Sequence, residues 1–136
     1  METKIVWNGN MKFTGTTPSN FSIIMDASPD HGGENQGPRP MELILVALGG
    51  CTGMDVISIL QKMKEKVETF EIKISAERAE EHPKVYKKVH LEYIFKGENL
   101  KEENIKKAIE LSQTKYCSVS AILRGTAEVT YSWKIL

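Results

Sequence analysis

The sequence predicts an α+β fold on three observations. Three short runs of strand character open the chain, a long stretch from Pro40 is apolar on every helical face, and two later runs alternate apolar and polar residues with period two. At 136 residues the chain suits a single domain, residues 1–136, with a substantial core.

Lys4–Trp7, Met11–Thr16 and Phe21–Ala27 are the opening strands. Asn8-Gly9-Asn10 and Thr17-Pro18-Ser19-Asn20 separate them with turn-forming residues, so the three read as an antiparallel meander. Ser28 to Arg39 then holds three glycines and two prolines and sustains neither helix nor strand. A loop of that length in a compact domain is a candidate functional segment.

Pro40 starts the long helix, because its fixed φ suits the first helical position. The helix is expected to run to about Lys66. Leu43 to Gly50 is apolar all round, and from Ile57 onward Lys62, Lys64, Glu65 and Lys66 return charge to one side. Gly49, Gly50 and Gly53 each cost about 1 kcal/mol against Ala inside a helix, which predicts the close approach of another backbone, a partner helix. One chain of this size supplies few elements to cover such a helix. A homodimer with the glycine-bearing helices in mutual contact would cover it.

Phe70, Ile72, Ile74 and Ala76, then Val89, Leu91, Tyr93 and Phe95, each alternate with polar residues. Joined across Glu80-Glu81-His82-Pro83, they predict a β-hairpin with one solvated face on both strands. Leu100–Tyr116 returns to helical spacing, with Ile105, Ala108, Ile109 and Leu111 on one side. Tyr116 to Gly125 reads as a break and a short helix closed by Gly125, and Ala127, Val129, Tyr131 and Trp133 make a last strand. Trp7 and Trp133 are expected in the core or at an interface.

Lys plus Arg number 18 against 18 Asp plus Glu, a net charge of zero. That balance lacks the concentration of cations by which proteins neutralise phosphates, so nucleic acid is excluded as a partner. The uncharged run Leu43–Met54, bounded by Glu42 and Asp55, is shorter than the ~20 residues a membrane span needs. Met1 to Trp7 has no apolar export signal, so the expected location is the cytoplasm, where two cysteines rest as thiols.

Those cysteines are the candidate chemistry. Free Cys most often behaves as a small buried hydrophobe. Cys117, however, falls at the start of the short terminal helix, where unpaired N–H groups and the nearby Ser118 and Ser120 could stabilise a thiolate. Cys51 lies about three turns inside the long helix, where the dipole has faded, so its activation must come from elsewhere. Arg39 and Glu42 are candidates: a guanidinium lowers the pKa of a nearby thiol, and a carboxylate can hold the guanidinium in a bidentate pair. Nine helical positions put Glu42 about 13.5 Å from Cys51 along the axis and about 180° around it, so either the pair is unrelated to Cys51 or it approaches from the other subunit of a dimer. Asp55, one turn after Cys51, opposes a thiolate unless it faces a cation. His31, His82 and His90 invite a metal reading with the cysteines, but no C-x-x-C or H-x-x-x-H spacing supports it.

Gly37-Pro38-Arg39-Pro40-Met41-Glu42, Leu48-Gly49-Gly50-Cys51-Thr52-Gly53-Met54-Asp55 and Tyr116-Cys117-Ser118-Val119 together resemble the OsmC/Ohr family of osmotically inducible and organic hydroperoxide resistance proteins. The resemblance covers nearly the whole chain. It implies an OsmC-like fold, an intertwined homodimer with active sites at the subunit interface, and a cysteine peroxidase without metal or organic cofactor. In that pattern Cys51 is the peroxidatic and Cys117 the resolving cysteine, and the family's acidic residue directly follows the proline, where this chain has Met41. The implied reaction reduces an organic hydroperoxide to an alcohol through a sulfenic acid and a disulfide, reopened by a dithiol. Leu48, Met54 and Ile57 are expected to wall the Cys51 site and favour alkyl peroxides. The competing reading is a dimeric small-molecule-binding module whose pocket the cysteines merely line.

Overall fold

The computed structural model describes every residue from Met1 to Leu136. Its backbone resolves into two compact units, Met1–Val46 and Ala47–Leu136, with the long helix running from one into the other.

Turn chemistry sets the first unit. Strands β1 (Lys4–Trp7), β2 (Phe13–Thr16) and β3 (Ser22–Met25) pair antiparallel in the order β1-β2-β3. Asn10 and Asn20 take left-handed conformations at the two reversals, which their short polar side chains tolerate. The meander is as expected. Trp7 is not in a core: it is 64% exposed, and its Nε1 donates to the Asn10 carbonyl at 2.9 Å.

The glycine-rich loop after β3 is held closely. A methyl group at Gly33 would overlap the Ala27 carbonyl, and one at Gly37 would overlap that of Ile24, so these glycines let the loop fold back against its own strand. Asp26 anchors it from beneath: Oδ1 accepts from Ala27 N–H at 2.7 Å, and Oδ2 accepts from Glu34 N–H at 3.2 Å and Gln36 N–H at 3.1 Å. Burial opposes ionisation of this carboxyl, yet the three N–H groups win and hold its pKa below the usual value of 3.8.

Helix α1 (Pro40–Lys62) starts at the expected proline and stops before Lys66. Lys64 adopts φ 60°, its N–H bonds to Gln61 O, and Glu65 N–H reaches back to Leu60 O. That pattern closes a helix without glycine, and it places Lys66 at the start of the next strand. By length and composition alone α1 could cross a membrane, with mean hydropathy 2.1 over its most apolar window. Its stripe Leu48, Thr52, Val56 and Leu60 is instead buried in protein, at the i, i+4 spacing of one face. A methyl at Gly49 would meet Ile74 Cδ1 at 3.2 Å and one at Gly53 would meet Ile72 Cδ1 at 3.5 Å, so within the chain these glycines admit strand side chains and no helix. Gly50 faces open space.

In the second unit, β4 (Lys66–Arg78) and β5 (Tyr86–Glu98) form the predicted hairpin, and β6 (Glu128–Ile135) joins β5. The pairing of β6 is parallel, whereas an antiparallel set was expected. The reason is the connection: α2 (Glu102–Leu111), a π-turn (Ser112–Tyr116) and α3 (Ser118–Leu123) carry the chain back across, and a crossover of that kind returns a strand in the same direction. The sheet order β4-β5-β6 makes β5 central. Consequently β5 is not half solvated: Ile94 is buried along with Val89, Leu91, Tyr93 and Phe95. Phe70 stacks on Phe95 with centroids 4.5 Å apart, and Tyr131 meets Tyr93 edge-on at 6.5 Å, which ties all three strands on one face.

The depressed Asp26 carboxyl stabilises the loop above its unfolded pKa, and that contribution is lost as pH falls through the lower folded value. Amide exchange at Glu34 and Gln36, compared with that at the β1–β2 amides, should accelerate selectively below about pH 3.8 and in Asp26→Ala at pH 6. Equal protection in the variant would contradict the anchoring role.

Candidate active site

Thr52 is a polar residue on the buried stripe of an otherwise apolar helix, and the site is built around it. Its Oγ1 lies 2.7 Å from Tyr93 Oη of β5 and 2.7 Å from Ser112 Oγ, the first residue of the π-turn. Ser112 Oγ donates to Asp55 Oδ2 at 2.9 Å, and Gln113 Nε2 donates to Tyr93 Oη at 2.8 Å. Arg124 holds the Gln113 amide from behind, its guanidinium donating to Gln113 O at 2.6 Å and to Oε1 at 2.9 Å.

The protons in this network can be ordered. An ionised carboxylate only accepts, so the Ser112 proton goes to Asp55; the Thr52 proton then goes to Ser112, and the Tyr93 proton to Thr52. Arg124 fixes which end of Gln113 faces the phenol, leaving its N–H to donate to Tyr93. The result is a directed chain, Gln113 to Tyr93 to Thr52 to Ser112 to Asp55, with Gln113 Nε2 also donating to Thr52 Oγ1 at 3.3 Å. Burial pushes the Tyr93 phenol up to about 12 against the partial relief of its bonds to Thr52 and Gln113, so the proton the chain needs stays in place.

The chain ends beside the cysteines. Cys51 Sγ, Cys117 Sγ and an Asp55 carboxylate oxygen all lie within 4.8 Å of one another, and both cysteines are free thiols. Sixty-six positions of sequence are closed by two local devices. Asp55 sits four residues after Cys51, hence on the same helical face. The π-turn bonds Cys117 N–H to Ser112 O at 2.7 Å, so the residue that orients Asp55 also seats Cys117; wide turns of this type recur at functional sites.

The two sulfurs differ in setting. Cys51 is half-buried, while Cys117 is 4% exposed and caps α3, its Sγ accepting from Ser120 N–H at 3.4 Å. Burial pushes the Cys117 thiol above its ordinary value; the Ser120 hydroxyl and N–H pull it down, and the neighbouring Cys51 adds to the rise. The expected helix-end stabilisation of a Cys117 thiolate is therefore present but outweighed, and Cys117 is a thiol at neutral pH. Ser118, the other expected donor, is exposed.

Arg39 and Glu42 do not form the expected bidentate pair. Glu42 Oε1 accepts the Arg39 backbone N–H at 2.8 Å, a capping bond at the start of α1, while the guanidinium donates to Asn35 Oδ1 at 2.7 Å and Gly37 O at 3.1 Å. A carboxylate at this position is better used on an unpaired helix-start N–H than on a side chain already held by its own loop. The expected apolar wall is also incomplete in the single chain: Leu48 is buried, Ile57 half-buried, and Met54 is 74% exposed. The histidines serve locally. His31 bonds Ser28 Oγ, and His90 bonds Thr130 and Ser132 across the sheet. Sequence reasoning missed Thr52, Tyr93, Ser112, Gln113 and Arg124; the visible signal was a Thr on the one buried stripe of an apolar helix, beside Cys51.

Comparison with known proteins gives a consistent likeness. The OsmC-like protein family matches residues 33–132. Protein YhfA of Escherichia coli is 35% identical over 136 residues, spanning 100% of this chain and 98% of its own. A hypothetical protein from Aquifex aeolicus is 32% identical with a TM-score of 0.87 over 99% of this chain and 95% of that one. An organic hydroperoxide resistance protein OsmC from Legionella pneumophila, also described as a predicted redox protein, has the same fold, with a TM-score of 0.69 at 15% identity over 98% and 95%.

Replacing Tyr93 by Phe removes the shorter bond that Thr52 Oγ1 accepts and the shorter one that Gln113 Nε2 donates, leaving these buried groups only their 3.3 Å bond to one another in those roles, and should cost ~1–3 kcal/mol at pH 8. Tyr93 favours the folded state below pH 10, and that advantage falls as pH rises from 10 toward about 12, because the unfolded phenol ionises first. Urea unfolding of both proteins should therefore show the stability gap narrowing above pH 10. A gap independent of pH would contradict the raised phenol.

Proposed function

We propose, from the premise that this chain belongs to the OsmC family, that it is a thiol-dependent peroxidase for organic hydroperoxides, with Cys51 as nucleophile and Cys117 as resolving thiol. The observation that carries the reading is the sulfur pair within 4.8 Å in unequal environments. Cys51 is the one a peroxide can reach. Its thiolate attacks the outer peroxide oxygen, the S–O bond forms as the O–O bond breaks, and the alkoxide takes a proton to leave as alcohol. Cys117, buried and protonated, is spared direct oxidation. It attacks the Cys51 sulfenic sulfur, its proton leaves with the hydroxide as water, and one disulfide closes. A dithiol then exchanges through a mixed disulfide and restores both thiols. Such a cycle suits a reducing cytoplasm.

Of the Arg39 and Glu42 pair, Arg39 enters this reading as the activating guanidinium, offered to Cys51 of the partner subunit. In the chain itself Glu42 caps the helix, so the proposal assigns the charge-balancing role to Arg39 held by Asn35 and Gly37.

A homodimer completes the reading. Val46 is 67% and Met54 74% exposed along α1, and Gly50 faces open space beside them; a second copy would cover this apolar surface and close the wall over Cys51. Sedimentation should give twice the chain mass of 15.3 kDa, and a monomer at micromolar concentration would contradict it.

One observation favours the binding-module alternative: Asp55 places a negative charge beside both sulfurs, which disfavours a thiolate. Titration separates the two. Excess cumene hydroperoxide should consume two thiols per chain of the reduced protein; Cys51→Ser should abolish turnover with a dithiol, and Cys117→Ser should stop at a sulfenic acid trapped by dimedone. An unchanged thiol titre after peroxide would remove the peroxidase.

A further inference from the structure

We propose that the reduced protein binds a thiophilic divalent cation, of the zinc and cadmium class, through Cys51 Sγ, Cys117 Sγ and an Asp55 carboxylate oxygen. The inference does not depend on peroxidase activity.

Geometry is the first support. Three atoms whose mutual separations do not exceed 4.8 Å share a central point no more than about 2.8 Å from each. Tetrahedral zinc takes sulfur at about 2.3 Å and carboxylate oxygen at about 2.0–2.2 Å, so side-chain movements of less than about 1 Å bring all three donors to bonding distance. The donor set is chemically coherent as well. Two thiolates select soft or borderline ions, which excludes magnesium and calcium, and a single carboxylate is a common third ligand.

Orientation is the second. Ser112 Oγ donates to Asp55 Oδ2 at 2.9 Å, which fixes the carboxylate and leaves Oδ1 for the ion. A metal-bound carboxylate is ordinarily held by such a hydrogen bond, and here the donor is itself the end of a buried chain through Thr52 and Tyr93. The third support is charge. A dication that displaces the two thiol protons to solvent offsets the repulsion that two thiolates and a carboxylate at this spacing would otherwise meet in a partly buried site. Cys51 and Asp55 are half-buried, so an ion has an entry side and water can fill a fourth position, while Cys117 forms the floor. The three ligands come from two helix-bearing segments 66 positions apart in sequence, which is why spacing rules built on adjacent cysteines and histidines passed over the site.

Binding and oxidation exclude each other. Joining the sulfurs in a disulfide removes both thiolate ligands, and an ion on Cys51 occupies the lone pair a peroxide would meet. The site therefore couples metal occupancy to the redox state of the pair.

The test uses the full chain, reduced and freed of thiol reagents, titrated with cadmium chloride in the absence of peroxide. The expected result is sulfur-to-cadmium charge-transfer absorption that saturates at one ion per chain. It should vanish in Cys51→Ser and in Cys117→Ser, weaken at least about tenfold in affinity in Asp55→Asn, and disappear when wild-type protein is oxidised by diamide. Zinc should displace cadmium from the same site. Affinity unchanged in Asp55→Asn, saturation at one ion per two chains, or absorption that survives diamide would each overturn the three-ligand site. Because no peroxide is present, its failure is separate from failure of the peroxidase reading.

Discussion

The second unit is organised by one buried hydrogen-bond chain that has a single permissible direction. Arg124 orients Gln113, which donates to Tyr93, and the phenol, Thr52 and Ser112 hand a proton each toward Asp55. Apart from the exposed Arg124, every member is fully or partly buried, so each bond that is left unmade exposes a desolvated polar group with no compensation. That constraint locks α1, β5 and the π-turn into one register. Seating of the two cysteines follows from it, since Ser112 fixes both the Asp55 carboxylate and, through its own carbonyl, the Cys117 backbone.

The consequence for chemistry is an asymmetric dithiol next to an anion. A buried Cys117, raised by desolvation, is held as a thiol, while Cys51 meets solvent on one side. Asp55 sits near enough to influence both sulfurs, and its charge needs a counterpart whenever either ionises.

The fold was legible where local chemistry decides it. The Asn8-Gly9-Asn10 and Thr17-Pro18-Ser19-Asn20 turns announced the first meander, Pro40 announced the long helix, and strict alternation announced β4 and β5. Errors arose where a non-local partner decides. The helix stops short of the expected Lys66, its end set by a left-handed Lys64 and backbone bonds to Gln61 and Leu60. The parallel placement of β6 follows from the crossover path, which alternation does not encode. Both cysteines could be singled out, and Asp55 could be placed on the Cys51 face. The convergence of Thr52, Tyr93, Ser112 and Gln113 was hidden, because each is an ordinary residue in its own element and only the packing of three elements brings their polar atoms together. Arg39 and Glu42 were linked in sequence by charge alone, and the capping bond of Glu42 shows that a helix terminus competes for such a carboxylate.

Non-reducing peptide mapping by mass spectrometry, after one equivalent of an organic hydroperoxide, tests the pairing of the thiols most directly. The account predicts one intrachain Cys51–Cys117 disulfide per chain. Cys51 carried on to sulfinic or sulfonic acid with Cys117 still free, or disulfides only between chains, would contradict it.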